Sequence, residues 1–143
     1  MRRSLYVCCV LLSASLLQFA GAQAQTGENK VALQISDGSP EKQELLLNVA
    51  NNVLKAYGPD NVKLEIVAFG PGLRLLFADN ANKDLVQSLA ATGVRFSACQ
   101  NTIKGMTTTL GRAPTITKDA QIVPAGIIRL VDLSAQGYVV VRP

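Results

Sequence analysis

The sequence predicts one α/β domain, a three-layer arrangement with a mostly parallel five-stranded sheet and helices on its faces. Three observations predict it. Strand-like and helix-like segments alternate four times from Lys30 onward, and a short apolar strand closes the chain. That order calls for right-handed crossovers, which lay the helices against the sheet. Hydrophobic residues make up 48% of the 143, which excludes a disordered chain. The length suits a single core, and no repeat, linker or low-complexity stretch divides it.

The first segment is expected to lie outside that domain. Met1-Arg2-Arg3 is a short basic start, Leu5 to Ala20 is uncharged and mostly apolar, and Ala20-Gly21-Ala22-Gln23-Ala24 alternates small residues. This is the pattern of a cleavable signal peptide over residues 1–24, cut after Ala24 or after Ala22. The apolar run is short for about 30 Å of hydrocarbon, so removal is expected rather than retention as an anchor. The expected mature protein, residues 25–143, is therefore exported, to the periplasm, and has no membrane partner. Losing Arg2 and Arg3 leaves 12 basic against 10 acidic residues, a net charge of +2. A scattered excess that small is no footprint for nucleic acid. Cys8 and Cys9 also leave, so Cys99 is the only cysteine of the mature chain and no internal disulfide can form.

The elements follow in order. Lys30–Ile35 is the first strand, with Val31, Leu33 and Ile35 on one face. Asp37-Gly38-Ser39-Pro40 turns into a helix in which Ser39 is the N-cap, Pro40 takes the first position and Glu41 meets the positive helix end. Leu46, Val49, Ala50, Val53, Leu54 and Tyr57 recur at helical spacing until Gly58-Pro59 stops them. The second strand, Val62–Phe69, closes on a continuous apolar run, the pattern of a strand buried on both faces. Leu73–Phe77 is apolar without a period and is expected to be a contact surface between copies. A helix over about residues 81–92 turns Leu85, Val86 and Leu89 inward and ends at Gly93. The third strand is Val94–Ala98. Cys99–Thr102 then turns into a short helix lined by Ile103, Met106 and Leu110, which Gly105 and Thr107-Thr108-Thr109 weaken. Beyond a loop come a strand at Gln121–Val123, a helix from Pro124 carrying Ile127, Ile128, Val131 and Leu133 to Gly137, and the strand Tyr138–Arg142.

Few chemistries remain open. There is no histidine, which removes catalytic triads, Cys-His dyads and histidine-ligated metals, and no metal-binding set is expected. Gly70-Pro71-Gly72-Leu73-Arg74-Leu75 matches two glycines of the dinucleotide fingerprint but has Leu75 at the third. No nucleotide or other cofactor is expected, and Gly70 and Gly72 read as a rigid turn that shapes a pocket. Ligands of open parallel sheets bind beyond the carboxyl ends of the strands, where Ser36–Ser39, Phe69–Leu73 and Ala98–Thr102 fall. Cys99 stands there, between a strand and a helix start. Backbone N–H groups, Asn101 and Thr102 favour a thiolate at that position, with Lys104 adding charge. The opposite reading, a small hydrophobe packed in the core, fits the residue equally well.

Val67-Ala68-Phe69-Gly70-Pro71-Gly72-Leu73, Gly93-Val94-Arg95-Phe96-Ser97-Ala98-Cys99-Gln100-Asn101-Thr102, Val123-Pro124-Ala125-Gly126 and Gly137-Tyr138 resemble the DsrE/DsrF-like family. The resemblance spans residues 30–143 and is most specific around Cys99. It implies a small flavodoxin-like domain that assembles into a homo-trimer or hexamer. Some members carry sulfur as a persulfide on a cysteine in the position of Cys99, in the cytoplasm, whereas this chain has an export segment. The resulting expectation is an exported sulfur-handling protein: Cys99 is the carrier, Asn101 and Thr102 steady it, and a sulfur donor or acceptor protein or a small sulfur compound is the partner. The alternative is a non-enzymatic oligomeric module that binds a ligand or protein, with Cys99 buried. A thiol redox sensor is a weaker third, since no resolving cysteine is present in residues 25–143.

Overall fold

The computed structural model describes residues 28–143; the expected signal peptide lies outside the described residues. Five strands form one sheet: β1 (Asn29–Ile35), β2 (Val62–Ala68), β3 (Arg95–Cys99), β4 (Ala120–Val123) and β5 (Val139–Val141). All four pairings are parallel, in the spatial order β4-β3-β2-β1-β5. The helices are α1 (Pro40–Tyr57), α2 (Lys83–Ala91), α3 (Gln100–Leu110) and α4 (Gly126–Ala135).

Strand order dictates the layers. From β1 to β4 the chain steps one way, so right-handed crossovers keep α1, α2 and α3 on one face. From β4 it returns past β1 to β5, and the same handedness puts α4 on the other face. On the first face Leu33, Ile35, Leu64, Ile66 and Phe96 pack with Leu46, Leu47 and Ala50 of α1 and with Val86 and Leu89 of α2. On the second, Ala32 and Val67 meet Leu130, Leu133 and Tyr138. β2 is buried on both faces, as its apolar run predicts. The cap of α1 also forms as predicted: Ser39 Oγ accepts the Lys42 N–H, with Pro40 in the first turn.

Two stretches depart from the sequence reading. Leu73–Phe77 is not a contact surface. Residues Gly70–Leu76 wind as a 3₁₀ helix that drives Leu73, Leu75 and Leu76 into the first-face core. In a 3₁₀ helix residues three apart eclipse, which places Leu73 and Leu76 on one side. The chain beyond it is pinned by Thr117 N–H to Leu76 C=O and Ala78 N–H to Thr115 C=O, both 2.9 Å. α3 is a full three turns despite its threonines. Their hydroxyls donate one turn back, Thr107 to Ile103 C=O at 2.8 Å, Thr108 to Lys104 at 3.2 Å and Thr109 to Gly105 at 3.1 Å.

A buried carboxylate ties α4 to the sheet. Glu65, in β2, has no exposed surface. Its Oε1 accepts hydrogen bonds from Ser97 Oγ and Arg129 Nε, and its Oε2 from Arg129 Nη2 and Arg95 Nη2, each 2.7 Å. Gln121 Nε2 extends the network to Ser97 Oγ at 2.9 Å. The Arg129 contact is a two-pronged fork, the geometry in which guanidinium and carboxylate match best.

Burial pushes the Glu65 carboxyl up, but the Arg129 and Ser97 hydrogen bonds and the charges of Arg129 and Arg95 outweigh it and hold the pKa below the ordinary value. A carboxyl depressed in the folded state stabilises the fold above its unfolded pKa of about 4.3, and that stability is lost as pH falls through the lower folded value. Glu65→Ala should therefore cost about 3 kcal/mol or more at neutral pH, because it strands Arg129 without its partner. The gap from the parent protein should narrow as acid protonates Glu65. Denaturant unfolding of both proteins at neutral and at strongly acidic pH checks this; a gap equal at both would contradict it.

Candidate functional site

β3 and β4 are neighbours whose exits diverge. β3 leads to α3 on the first face and β4 leads to α4 on the second. Such a divergence opens the crevice in which parallel sheets hold ligands. Cys99 is the last residue of β3, pairs in register with Val123 of β4 and forms the N-cap of α3.

Four groups beside Cys99 favour its thiolate, the Thr102 hydroxyl and the backbone N–H groups of Gly126, Thr102 and Asn101, although the Cys99 side chain makes no capping hydrogen bond to α3. Asn101 and Thr102 belong to the first turn of α3, and Gly126 is the first residue of α4. Two helix N-termini, with their unpaired N–H groups and partial positive charge, thus meet beside Cys99. Thr102 Oγ1 itself accepts the Gly70 N–H at 2.9 Å. That bond occupies a lone pair of the hydroxyl and leaves its proton free to donate. The close approach of α4 depends on glycine: a Cβ on Gly126 would stand 2.9 Å from Phe69 Cδ1.

Burial opposes thiolate formation, and Cys99 is only 5% exposed. The neighbouring O–H and N–H groups, Thr102 foremost, prevail over burial, so the thiol pKa is lowered from its ordinary value. Among the described residues no cluster of three or more acidic, cysteine or histidine side chains converges. The donors that do converge are N–H and O–H groups, which suit an anion.

Thr102 links two of the expected residues by position: it accepts the Gly70 N–H and stands in the first turn of the helix that Cys99 caps. Asn101 takes part through its backbone, and its side chain is exposed. Gly72 acts elsewhere. A Cβ there would lie 2.6 Å from the Ile35 carbonyl oxygen, so its small size allows the 3₁₀ helix to pack against the end of β1. Lys104 is exposed and is not one of the groups acting on the thiol. The sequence alone does not single out Gly126 as a donor. Its one signal is Val123-Pro124-Ala125-Gly126, a proline-containing turn between a strand end and a helix start.

Comparison with known proteins adds the fold. No family model matches the chain, and no curated protein is similar to it. Among solved structures it is similar to MTH1491 from Methanobacterium thermoautotrophicum, a protein of unknown function, at 25% identity and a TM-score of 0.73. The match covers 80% of this chain and 99% of that one. The all-parallel sheet with helices on both sides is a three-layer, flavodoxin-like α/β domain.

Thr102→Val keeps the side chain's shape and removes its hydroxyl. A hydrogen bond to a charged group contributes about 1.5–3 kcal/mol, and about 1.4 kcal/mol corresponds to one pKa unit. The variant's Cys99 pKa should rise, because the largest influence favouring the thiolate is lost. The pH profile of iodoacetamide alkylation measures it in protein lacking residues 1–24; an unchanged profile would remove Thr102 from the site.

Proposed function

We propose that this protein is an exported carrier of sulfane sulfur, with Cys99 as the sulfur-bearing residue. The observation that carries the reading is the place of Cys99, at the end of β3 and the N-cap of α3, where neighbouring O–H and N–H groups lower its thiol pKa against burial. The resemblance to the DsrE/DsrF-like family around Cys99 supports the same reading. The signal-like residues 1–24 support export to the periplasm, where the donor or acceptor is another protein or a small sulfur compound.

The chemistry is exchange at sulfur. The Cys99 thiolate attacks the outer sulfur of a persulfide, R–S–S⁻. The new bond is Sγ–S; the donor's S–S bond breaks, and R–S⁻ leaves with the electron pair. Cys99 then bears a persulfide, with the negative charge on its outer sulfur. An acceptor thiolate attacks that outer sulfur, and the Cys99 thiolate leaves. The Thr102, Asn101 and Gly126 donors stabilise Sγ as nucleophile in the first step and as leaving group in the second. Gly70 steadies Thr102.

One observation favours a second reading. At 5% exposure Cys99 can be a packed residue of a non-enzymatic oligomeric module. Treatment of the protein lacking residues 1–24 with a sulfane-sulfur donor separates the two. The carrier gains the mass of one sulfur atom, loses it to reductant, and gains nothing as Cys99→Ser. A folded protein whose Cys99 stays unmodified supports the second reading.

The carrier is further proposed to be a homo-oligomer, a trimer or hexamer. Its support is α4, which buries Leu130 and Leu133 yet leaves Ile127, Ile128 and Val131 56–59% exposed. An apolar helix face of that kind, starting beside Gly126, marks an interaction surface. Light scattering at micromolar concentration should give a trimeric or hexameric mass, and Ile128→Asp with Val131→Asp should reduce it to the monomer. A monomeric parent protein would overturn the assembly.

A further inference from the structure

Between the 3₁₀ helix and α3 runs a cavity of about 380 Å³. Its walls are mainly apolar, with Pro71, Phe77, Met106 and Leu110 along it. Two of its lining residues are polar in a way packing does not require. Thr102 stands in the first turn of the helix that Cys99 caps, so the groove comes within one helical turn of the cysteine. Arg74 is exposed and makes no ion pair among the described residues, although its backbone C=O is occupied by Asn80 Nδ2 at 2.8 Å and Phe77 N–H at 3.1 Å. An apolar trough with a free guanidinium matches a ligand with an apolar body and an anionic group.

We propose that this groove binds the organic part of the sulfur donor, and that the donor class is a small thiosulfonate anion with an aromatic or aliphatic body. The inference rests on the carrier reading for its chemistry, and on the groove for its specificity. With a thiosulfonate, R–SO₂–S⁻, the Cys99 thiolate attacks the outer sulfur, the S–S bond breaks, and the sulfinate R–SO₂⁻ leaves with the electron pair. One negative charge remains on the Cys99 persulfide and one on the sulfinate, so neither oxidant nor reductant is consumed. Arg74 pairs with the sulfonyl oxygens before and after transfer, while the body R lies along Phe77 and Met106.

The probe is benzenesulfinate, which fits the groove and transfers no sulfur, so its binding is read independently of the carrier chemistry. Calorimetric titration of the protein lacking residues 1–24 should show saturable, one-site binding. Arg74→Gln should weaken it by about tenfold, the loss expected for one charge-assisted contact. Gly105→Leu should weaken it similarly by filling the groove; Gly105 lines it and has open space around its missing Cβ, so the fold accommodates the change. Lys104→Gln, on α3 but outside the groove lining, should leave binding unchanged. Absent binding, or binding indifferent to both Arg74→Gln and Gly105→Leu, overturns the groove, as does an equal loss in Lys104→Gln. Binding that behaves as expected while benzenethiosulfonate adds no sulfur to Cys99 overturns the thiosulfonate as donor; the carrier reading falls as well only if a persulfide donor also leaves Cys99 unmodified.

Discussion

Arg129 reaches back from one turn inside α4 to grip Glu65 in the middle of β2, and the candidate site depends on that grip. α4 is the single helix on its face of the sheet among the described residues, held otherwise by Leu130, Leu133 and Tyr138. Apolar contact alone is non-directional and tolerates sliding. A two-pronged guanidinium–carboxylate contact fixes position along and around the helix axis. It therefore fixes where Gly126 presents its N–H, three residues before Arg129, and the small side of Gly126 against Phe69 lets that N–H come within reach of Cys99. Sheet, helix and thiol are thereby connected through one buried acid.

The competition at Cys99 decides what the residue can do. Burial disfavours the thiolate, and four donors favour it. Three of those donors are backbone groups at helix starts, whose hydrogen bonds are left open by the helix itself. The fourth, Thr102, is oriented by Gly70 from the far side. The largest favourable influences are neutral O–H and N–H groups rather than the histidine or lysine that usually activates a thiol. A sulfur held this way is a better leaving group as well as a more abundant anion, which is what a carrier that both accepts and releases sulfur requires.

Much of the fold is legible in the sequence because it is written in local, periodic signals. Ser39-Pro40 and Gly58 bracket α1, the run Ile66–Phe69 announces a strand covered on both faces, and the strand–helix junction at Cys99 follows from the turn after β3. The rest has no local signal. Leu73–Phe77 is too short to show a period, and only the 3₁₀ winding turns it inward. Glu65 looks like an ordinary charge in a strand, since its partners Ser97, Arg95 and Arg129 stand 30 to 64 residues away. Gly126 becomes a donor only because α4 crosses to the other face and starts beside β3. Asn101 reads in the sequence as a side-chain donor but serves through its backbone, because any residue at that turn supplies the same N–H.

The central claim is that Cys99 is a stabilised thiolate in the folded protein. With residues 1–24 removed it is the only cysteine, so ultraviolet thiolate absorbance titrates it without interference from other thiols, once tyrosine is subtracted with Cys99→Ser. A stabilised thiolate gives a midpoint below the free-thiol value of about 8.5. A midpoint above it would show that burial defeats the neighbouring donors and that Cys99 rests as a thiol.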